Sequence, residues 1–352
     1  MKNFGKKIVV GMSGGVDSSV AAYLLKSKGF DVVGVTLDIW QDDLKEAREC
    51  AIRDAKKICE TLGINHYIFD VKEDFKKNVI EPFVHDYIEA KTPNPCVRCN
   101  RFLKFEGLLK CAKELEIDLV ATGHYARLEE NNGRYYIKKS VTSTKDQSYM
   151  LYDLSQEQLS KIIMPLGEYT KEEIRDIAKK QGFVNADKKD SQDICFIANK
   201  DYSKYIEKFF DYKPVVGNFV DKKGNILGKH KGIINYTIGQ RKGLGVSYKC
   251  PLYVIKIDKS NNTVILGEEN ELLRDTLVCG NVNYMLIDNL NEPMNVLAKI
   301  RYKSKEEEAV IEKLGKNDIK VHFKNKVKGV TPGQAVVFYD LDGNLIAGGI
   351  IR

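Results

Sequence analysis

The chain has 352 residues, of which 43% are hydrophobic and 30% are charged, a balance typical of a globular protein with two or three domains. Its formal net charge of +7 permits a polyanionic partner such as RNA but does not identify one. No apolar run approaches the roughly 18 residues of a membrane span, and the basic start lacks the apolar stretch of a signal peptide. We therefore expect a cytoplasmic protein with no membrane partner, whose eight cysteines are mainly reduced.

Strand and helix patterns alternate through the first half of the chain. The predicted elements are strands at 7–12, 32–39, 64–71 and 117–122 and helices at 18–29 and 46–63. Both helices end at a glycine, and the nearly continuous apolar run of the second strand is typical of a parallel sheet covered on both faces. This alternation predicts a doubly wound, mostly parallel α/β domain over residues 1–200.

A glycine-rich loop joins the first strand to the first helix. Gly14 and Gly15 allow positive φ, so that several backbone N–H groups can face one anion. The helix N-terminus and the hydroxyls of Ser13 and Ser18 add further attraction for an anion. The loop lacks both the Walker signature and the spacing of dinucleotide binders. It predicts a phosphate cradle, although a plain strand-to-helix turn would also accommodate these residues.

Residues 92–100 read Thr-Pro-Asn-Pro-Cys-Val-Arg-Cys-Asn and lead into a helix predicted at 101–115. The two prolines fix an extended approach to Cys96 and Cys99. A thiol at a helix start beside arginines is expected to ionise more readily than a free thiol. We therefore predict a lowered pKa for Cys99, with Arg98 as one of the neighbouring cations.

A Cys-x-x-Cys pair by itself is typical of half a structural zinc site. No second pair of cysteines or histidines completes a tetrahedral set here, so the sequence does not favour a structural zinc site. A third candidate thiol, Cys195, follows Asp-Ser-Gln-Asp-Ile at residues 190–194. The other five are expected to be core or surface fillers: Cys50, Cys59, Cys111, Cys250 and Cys279.

Short strands separated by turn signals dominate after residue 200. The predicted strands fall within 217–227, 252–257, 263–266, 296–302, 308–313, 319–323, 335–339 and 345–350. This spacing predicts one or two small barrels. We expect a small central β-rich domain at 201–275 and a C-terminal β-barrel at 276–352.

Several motifs together resemble the tRNA-specific 2-thiouridylases of bacteria and mitochondria. The loop string Ser-Gly-Gly-Val-Asp-Ser at 13–18 resembles the pyrophosphate loop of the ATP pyrophosphatase superfamily, whose members split ATP between the α and β phosphates. The other motifs lie at 92–100, 121–126, 145–149, 190–197, 239–245 and 332–334. The resemblance implies ATP-dependent 2-thiolation of the wobble uridine in tRNAs for Lys, Glu and Gln. It also implies that residues 1–200 form an ATP pyrophosphatase-type domain.

The resemblance also assigns residues to the nucleotide. The implied ATP contacts are Gly11, Met12, Ser13, Gly14, Gly15, Val16, Asp17, Ser18, Leu37 and Gly123. ATP is expected with Mg²⁺, and Asp17 is expected to help hold that ion. Leu37 and Gly123 are expected to border the adenine, at the carboxyl ends of parallel strands.

Sulfur chemistry is implied for two cysteines. Cys195 would carry an incoming persulfide, and Cys99 would be the partner thiol that resolves it, leaving a disulfide bond for a reductant to reopen. A cysteine desulfurase or a sulfur-relay protein would supply the sulfur, and the sequence does not identify which. Many family members have Asp where this chain has Cys96. The cysteine creates a set of three thiols, Cys96, Cys99 and Cys195, and the second hypothesis is an iron–sulfur cluster on this set.

Contacts with the tRNA anticodon arm are implied at five places in the chain. The implied residues are Asn94, Pro95, Cys96, His124, Lys145, Asp146, Gln147, Arg301, Tyr302 and Gln334. Without the resemblance, each would be read as part of an ordinary solvated face, and His124 as a structural histidine. Two other functions stay open from sequence: an amidating or ligating synthetase of the same superfamily, and a non-catalytic protein that binds tRNA or carries sulfur.

Overall fold

The structure, a computed structural model, describes residues 5–39, 44–188, 194–197 and 201–352. Its α-helices are α1 Val16–Ser27, α2 Lys45–Leu62, α3 Lys72–Phe75, α4 Glu81–Ile88, α5 Pro95–Arg98, α6 Glu106–Glu114, α7 Gln156–Leu159, α8 Lys171–Lys180 and α9 Tyr202–Phe209. Two segments are π-helical, Lys76–Ile80 and Cys99–Phe105. None of the helices in the described ranges is long and apolar enough to span a membrane.

A five-stranded parallel sheet organises the N-terminal part. Its strands are β1 Lys7–Gly11, β2 Asp31–Asp38, β3 His66–Asp70, β4 Leu119–Ala121 and β7 Ile162–Ile163, in the order β3-β2-β1-β4-β7. Strand order reverses between β1 and β4, the switch point at which open α/β sheets bind ligands. The predicted doubly wound α/β fold is confirmed.

Apolar residues on both faces of β1 explain why this strand is central. Ile8, Val9 and Val10 are completely buried, and α1 contributes Val20 and other apolar residues to the same core. Helices α1 and α8 pack against each other in this layer. The rigid sheet thus fixes the position of the loop that leaves β1 and enters α1.

One hairpin was not predicted. Strands β5 Ala126–Asn131 and β6 Arg134–Lys139 pair antiparallel across a two-residue turn. Both turn residues, Asn132 and Gly133, have positive φ, as a type I′ hairpin turn requires. The Asn-Gly pair is the sequence signal that would have located it.

Two β-rich assemblies follow, as predicted. Strands β8 Gly217–Val220, β9 Ile226–His230, β10 Tyr253–Asp258 and β11 Thr263–Gly267 form a four-stranded sheet in the order β10-β11-β8-β9. A closed barrel in the order β12-β15-β14-β13-β16-β17 contains β12 Leu273–Tyr284, β13 Met294–Lys299, β14 Glu307–Leu314, β15 Asp318–Lys328, β16 Ala335–Tyr339 and β17 Leu345–Ile351. The last assembly is therefore the predicted barrel, and the central one is an open sheet.

Two compact units divide the chain, and neither is continuous in sequence. One comprises Met1–Ile80, Pro95–Phe196 and Asp342–Ile346, and the other Glu81–Asn94, Ile197–Leu341 and Ala347–Arg352. Helix α4 thus belongs to the second unit although α3 and α5 belong to the first. The domain boundaries expected near 200 and 275 stay predictions.

Candidate active site

The loop after β1 has the geometry of an anion cradle. Gly14 has φ +70°, and a Cβ atom at this position would lie 2.4 Å from the carbonyl oxygen of Ala51 in α2. No residue other than glycine fits this close approach. Gly15 caps α1 with φ −95° and makes no side-chain cap bond. The loop therefore brings backbone N–H groups and a helix N-terminus to one point.

Serine hydroxyls organise the interior of this loop. The Ser18 hydroxyl donates to the Gly15 carbonyl at 3.0 Å and accepts from the Ser13 N–H at 3.3 Å. Ser19 also donates to the Gly15 carbonyl at 3.0 Å. The Ser13 and Ser18 hydroxyl oxygens lie 3.2 Å apart. The predicted hydroxyl donors are thus grouped around one turn, while Met12 and Val16 are buried beneath it.

Asp17 is paired within the protein. Its Oδ1 accepts hydrogen bonds from the Tyr125 hydroxyl and from the Lys171 ammonium, each at 2.7 Å. The Lys171 side chain is only 7% exposed, whereas 31% of Asp17 is exposed. A buried ammonium therefore neutralises the carboxylate predicted to hold Mg²⁺. Sequence reasoning missed Tyr125 and Lys171, which lie far from the loop along the chain.

The loop after β4 approaches the start of α1 very closely. A Cβ on Gly123 would lie 2.7 Å from the backbone carbon of Asp17 and 2.8 Å from the Ser18 nitrogen. Gly123 is therefore required by packing at the switch point. Gly11 ends β1 beside this loop, and Leu37 lies near the end of β2, half-buried against Gly107 of α6. The nucleotide contacts expected of these residues stay predictions.

Two further residues reach the outer side of the phosphate loop. Asn185 and Lys188 both donate hydrogen bonds to the Gly14 carbonyl at 3.2 Å. Sequence reasoning missed both. Neither residue is part of a recognisable sequence motif. Their position shortly before the Cys195 motif is the one signal that could have identified them.

Cys96 and Cys99 lie at the junction of α5 with the second π-helical segment. Cys96 is exposed in α5, and Cys99 begins the π-helical segment with 7% of its surface exposed. π-helical turns are rare and are frequently found at functional sites. The Arg98 guanidinium joins the two π-helical segments, since its Nε donates to the Asn78 carbonyl at 2.8 Å.

Cys195 is exposed in a short turn. The next residue, Phe196, is buried and packs edge-to-face on Phe75 of α3, with ring centroids 5.4 Å apart. This contact anchors the turn while leaving the thiol accessible. Residues 190–193 of the motif lie outside the described residues.

The predicted low pKa of Cys99 is wrong. Burial raises the pKa of Cys99 to about 12, and the neighbouring Cys195 and Cys96 thiols add to the increase. Burial likewise raises the pKa of Cys96 and Cys195, although both residues retain solvent-exposed surface. The three thiols therefore lie within electrostatic range of one another.

Arg98 and Arg101 do not supply the expected positive charge to Cys99. Arg98 is engaged by the Asn78 carbonyl, and Arg101 pairs with Asp153 at 2.7 Å. Lys104 is the cation that opposes the effect of burial on the pKa of Cys99. It lies five positions beyond Cys99, and the i→i+5 bonding of the π-helical segment differs from the α-helix that the sequence predicted.

The three thiols do not form a metal-ligand set. Among the described residues, no group of three or more His, Cys, Asp or Glu side chains is arranged to hold a metal ion. All eight cysteines are free thiols. The geometry therefore does not fit the iron–sulfur cluster considered from the sequence.

Several residues expected to contact tRNA have partners inside the first unit. Asp146 is buried, and its carboxylate accepts from the Ser140 N–H at 3.0 Å and the Ser148 hydroxyl at 2.7 Å. The Gln147 side chain accepts from the Tyr125 N–H at 2.9 Å. Lys145 is half-buried beside them. The loop that carries them is thus internally braced.

His124 is also buried. Its Nδ1 lies 2.7 Å from the Thr122 hydroxyl, and its ring packs near Phe105. Burial, helped by Lys104, lowers the pKa of His124 well below the usual value, so the ring is neutral near neutral pH. A buried, neutral and hydrogen-bonded ring agrees with the alternative that the sequence left open for His124, a structural histidine.

The second unit contains four of the remaining residues expected to contact tRNA, and Pro95 lies in the first unit. The Gln334 side chain donates to the carbonyls of Thr92 and Pro93, at 2.8 and 3.2 Å. Arg301 donates to the carbonyl of Ile238 at 3.2 Å and to the Thr331 hydroxyl at 2.5 Å. The others differ in exposure: Asn94 and Tyr302 are half-buried and Pro95 is buried. Their contacts with RNA stay predictions.

Comparisons with known proteins cover the whole chain. Residues 6–199 match the tRNA methyl transferase HUP domain, 203–268 the tRNA methyl transferase PRC-barrel domain, and 274–351 the aminomethyltransferase beta-barrel domain. The tRNA-specific 2-thiouridylase MnmA of Clostridium kluyveri is 52% identical over 353 residues, which cover 98% of this chain and 99% of that protein. The chain belongs to the tRNA-specific 2-thiouridylase family. The resemblance inferred from sequence is thereby confirmed.

Other 2-thiouridylases match over the same extent. MnmA of Clostridioides difficile is 48% identical over 99% of this chain and 98% of that protein. MnmA of Acetivibrio thermocellus is 50% identical over 99% of both proteins. As a family member, the chain is a tRNA sulfurtransferase, the enzyme class predicted from its sequence.

One solved structure that matches the chain belongs to a more distant protein. The U34-tRNA thiolase NcsA from Methanococcus maripaludis, with its 4Fe-4S cluster, shares 19% identity with this 2-thiouridylase over 58% of the chain and 68% of that protein. Its TM-score of 0.37 is too low to carry a conclusion about the cysteines of this chain.

Proposed function

We propose that this 2-thiouridylase replaces O2 of the wobble uridine in tRNAs for Lys, Glu and Gln with sulfur, at the expense of ATP. The observation that carries the proposal is a glycine-dependent anion cradle in the same compact unit as three mutually interacting thiols. A synthetase that only adenylates would not need the thiols, and a sulfur carrier would not need the cradle.

The first proposed step activates the base. Uracil O2 attacks the α-phosphorus of ATP, the bond to the bridging oxygen breaks, and pyrophosphate leaves. The Gly14 N–H and the α1 N-terminus offset the charge of the leaving pyrophosphate. Mg²⁺ enters as part of the substrate, and we assign Asp17 to it through the oxygen that Lys171 and Tyr125 do not engage.

The second proposed step transfers sulfur. The terminal sulfur of a Cys195 persulfide attacks C2, and AMP leaves with the former O2. Cys99 then attacks the Cys195 sulfur, the persulfide S–S bond breaks, and the electron pair stays on the sulfur of the base. The products are 2-thiouridine and a Cys99–Cys195 disulfide, which a dithiol reductant reopens. Such a cycle suits a reducing, cytoplasmic setting.

We assign the persulfide to Cys195 because its thiol is the more exposed one and can meet a sulfur donor. The donor would be a cysteine desulfurase or a relay protein. Cys99 is buried, which protects a resolving thiol from outside electrophiles until the base is in place. The anticodon arm would contact residues 94–96, 145–147 and 301–302 together with His124 and Gln334.

The decisive test is nucleoside mass spectrometry of unmodified tRNA incubated with metal-free enzyme, ATP, Mg²⁺ and a cysteine desulfurase. We expect 2-thiouridine that requires ATP. The same measurement distinguishes sulfur replacement from the methylation named in the family models, which would add a methyl group without ATP cleavage. Product that appears only after anaerobic iron–sulfur reconstitution would contradict the persulfide route.

A variant and a matched control test the role of Cys195. Cys195→Ser is expected to abolish 2-thiouridine while tRNA-dependent exchange of pyrophosphate into ATP continues. Cys250→Ser alters a partly exposed thiol in the other unit and is expected to retain full activity. Robust 2-thiouridine from Cys195→Ser would refute the mechanism.

A further inference from the structure

Two polar side chains hold the outer side of the phosphate loop. Asn185 is 3% exposed, and its Nδ2 donates to the Gly14 carbonyl at 3.2 Å and to the Ser19 hydroxyl at 3.0 Å. The Lys188 ammonium donates to the same carbonyl at 3.2 Å and to Asp54 of α2 at 2.8 Å. Within the described residues, no donor reaches the buried Oδ1 of Asn185. Buried polar side-chain atoms are nearly always hydrogen-bonded, so this acceptor beside the phosphate loop is an exception.

The peptide bond transmits this restraint to the inside of the loop. Because a trans peptide is planar, its C=O and N–H groups point in opposite directions. Two donors fixed on the Gly14 carbonyl therefore fix the direction of the Gly15 N–H, whose contact inside the loop is a long hydrogen bond to the Ser13 hydroxyl at 3.4 Å. Neighbouring glycines have little conformational preference of their own, so an anion cradle made from them needs an external restraint.

We infer that Asn185 and Lys188 are positioning residues that orient the peptide after Gly14 for the polyphosphate of ATP. This inference rests on the proposed function, in which residues 11–18 bind ATP.

Variants of Lys188 and Asn185 test the positioning role. In tRNA-dependent exchange of labelled pyrophosphate into ATP, without a sulfur donor, Lys188→Met and Asn185→Leu are each expected to raise the KM for ATP about tenfold. The KM for tRNA is expected to stay unchanged. Lys188→Arg retains a donor of similar reach and is expected to recover most of the ATP affinity. An unchanged KM for ATP in both Lys188→Met and Asn185→Leu would overturn the inference.

Two controls separate the loop contact from general effects on the fold. Lys179→Met removes an exposed ammonium that pairs with Asp187 at 3.3 Å and should leave the KM for ATP unchanged. Asp54→Asn removes the other partner of Lys188 but spares the Gly14 contact, so its KM should stay near that of the wild type. If Asp54→Asn matches Lys188→Met, anchoring to α2 is the true role and the inference fails. Lys188→Met remains informative if Asn185→Leu does not fold, because Lys188 is 39% exposed.

Calorimetry of Mg²⁺–ATP binding keeps the failure of this inference distinct from the failure of the proposed function. Lys188→Met is expected to bind ATP about tenfold more weakly than the wild type, and equal affinities would overturn the positioning role. A wild type that binds ATP but makes no 2-thiouridine refutes the proposed function alone.

Discussion

Gly14 and Gly15 are adjacent but have very different surroundings. Gly14 combines positive φ with a backbone oxygen where its Cβ would be, whereas Gly15 has φ −95° and only the flexible Ser13 hydroxyl nearby, at 3.3 Å. The cradle therefore depends on Gly14 for its packing against α2. Gly15 serves mainly to keep the helix start open to an anion.

Substitution of these glycines should have unequal effects. Gly14→Ala is expected to lower the free energy of unfolding by about 2–4 kcal/mol, because positive-φ strain adds to a displacement of α2. Gly15→Ala is expected to cost less than about 1 kcal/mol. Urea unfolding followed by circular dichroism measures both. Equal losses would show that the approach of Gly14 to Ala51 does not control the loop.

The cysteines should differ in reactivity toward iodoacetamide. Burial raises the pKa of Cys99 to about 12, so near neutral pH this thiol is almost entirely protonated and reacts slowly. Cys195 is exposed and should be alkylated before Cys99. As pH rises toward about 12, the Cys99 thiolate fraction increases and its rate should increase with it. Peptide mass spectrometry over a pH series provides the rates, and faster alkylation of Cys99 than of Cys195 near neutral pH would contradict this account.

At the scale of elements, helix α8 carries the lysine that neutralises Asp17. Thr170 caps this helix in a complete capping box with Glu173, and Lys171 is the next residue. Thr170→Ala should lower the free energy of unfolding by about 1 kcal/mol, and Thr170→Ser should restore most of it. The ATP affinity of Thr170→Ala should fall as well, because the start of α8 fixes Lys171. Chemical denaturation measures the stability and calorimetry measures the ATP affinity. An unchanged ATP affinity would show that the cap of α8 does not affect the nucleotide site.

Local sequence patterns were sufficient for most elements. The apolar period of β1 and the glycine at the end of α2 located both elements within a few residues, because these signals act over one turn or one strand. The β5–β6 hairpin was missed although Asn132 and Gly133 were visible in the sequence. The π-helical start of the cysteine helix was not visible, since an α-helix and a π-helix share one composition and differ in hydrogen bonding.

The site was predicted where its residues are close in sequence and missed where they are distant. The loop at 11–18 and the pair Cys96 and Cys99 form recognisable strings. Lys171 and Asn185 approach the loop only through the tertiary fold, so no spacing reveals them. The pKa of Cys99 was predicted with the wrong sign because burial outweighs the helix and charge effects that can be read from neighbours in sequence.

At the scale of the whole molecule, the two compact units are each assembled from separate segments of the chain. Residues 81–94 belong to the second unit, where Tyr87 stacks on Tyr202 with ring centroids 4.3 Å apart. Gln334 and Pro332 hold the backbone of Thr92 in the same unit. The chain therefore enters the second unit once before the cysteine motif and returns to it after Phe196.

A chain cut after residue 200 should consequently fold poorly by itself. It would retain α4 but lose the partners of Tyr87 and Thr92, exposing apolar surface that is buried in the full protein. We expect strong binding of the dye ANS and a broad, weakly cooperative urea transition for residues 1–200. A sharp transition without dye binding would show that the expected 1–200 domain is autonomous.

The closed barrel and the open parallel sheet differ in whether they leave a strand edge at which another chain could pair. The C-terminal barrel closes on itself and offers no unpaired strand, whereas the parallel sheet ends at β3. Tyr67 and Ile68 of β3 are 42% and 49% exposed. An edge with apolar side chains is a template for strands of other chains. Under heat or crowding, intermolecular β-pairing should therefore begin at such edges. One is β3, and another is β9 of the central open sheet, where Ile226 is 66% exposed. Ile68→Lys would be a rational way to protect the β3 edge in concentrated enzyme.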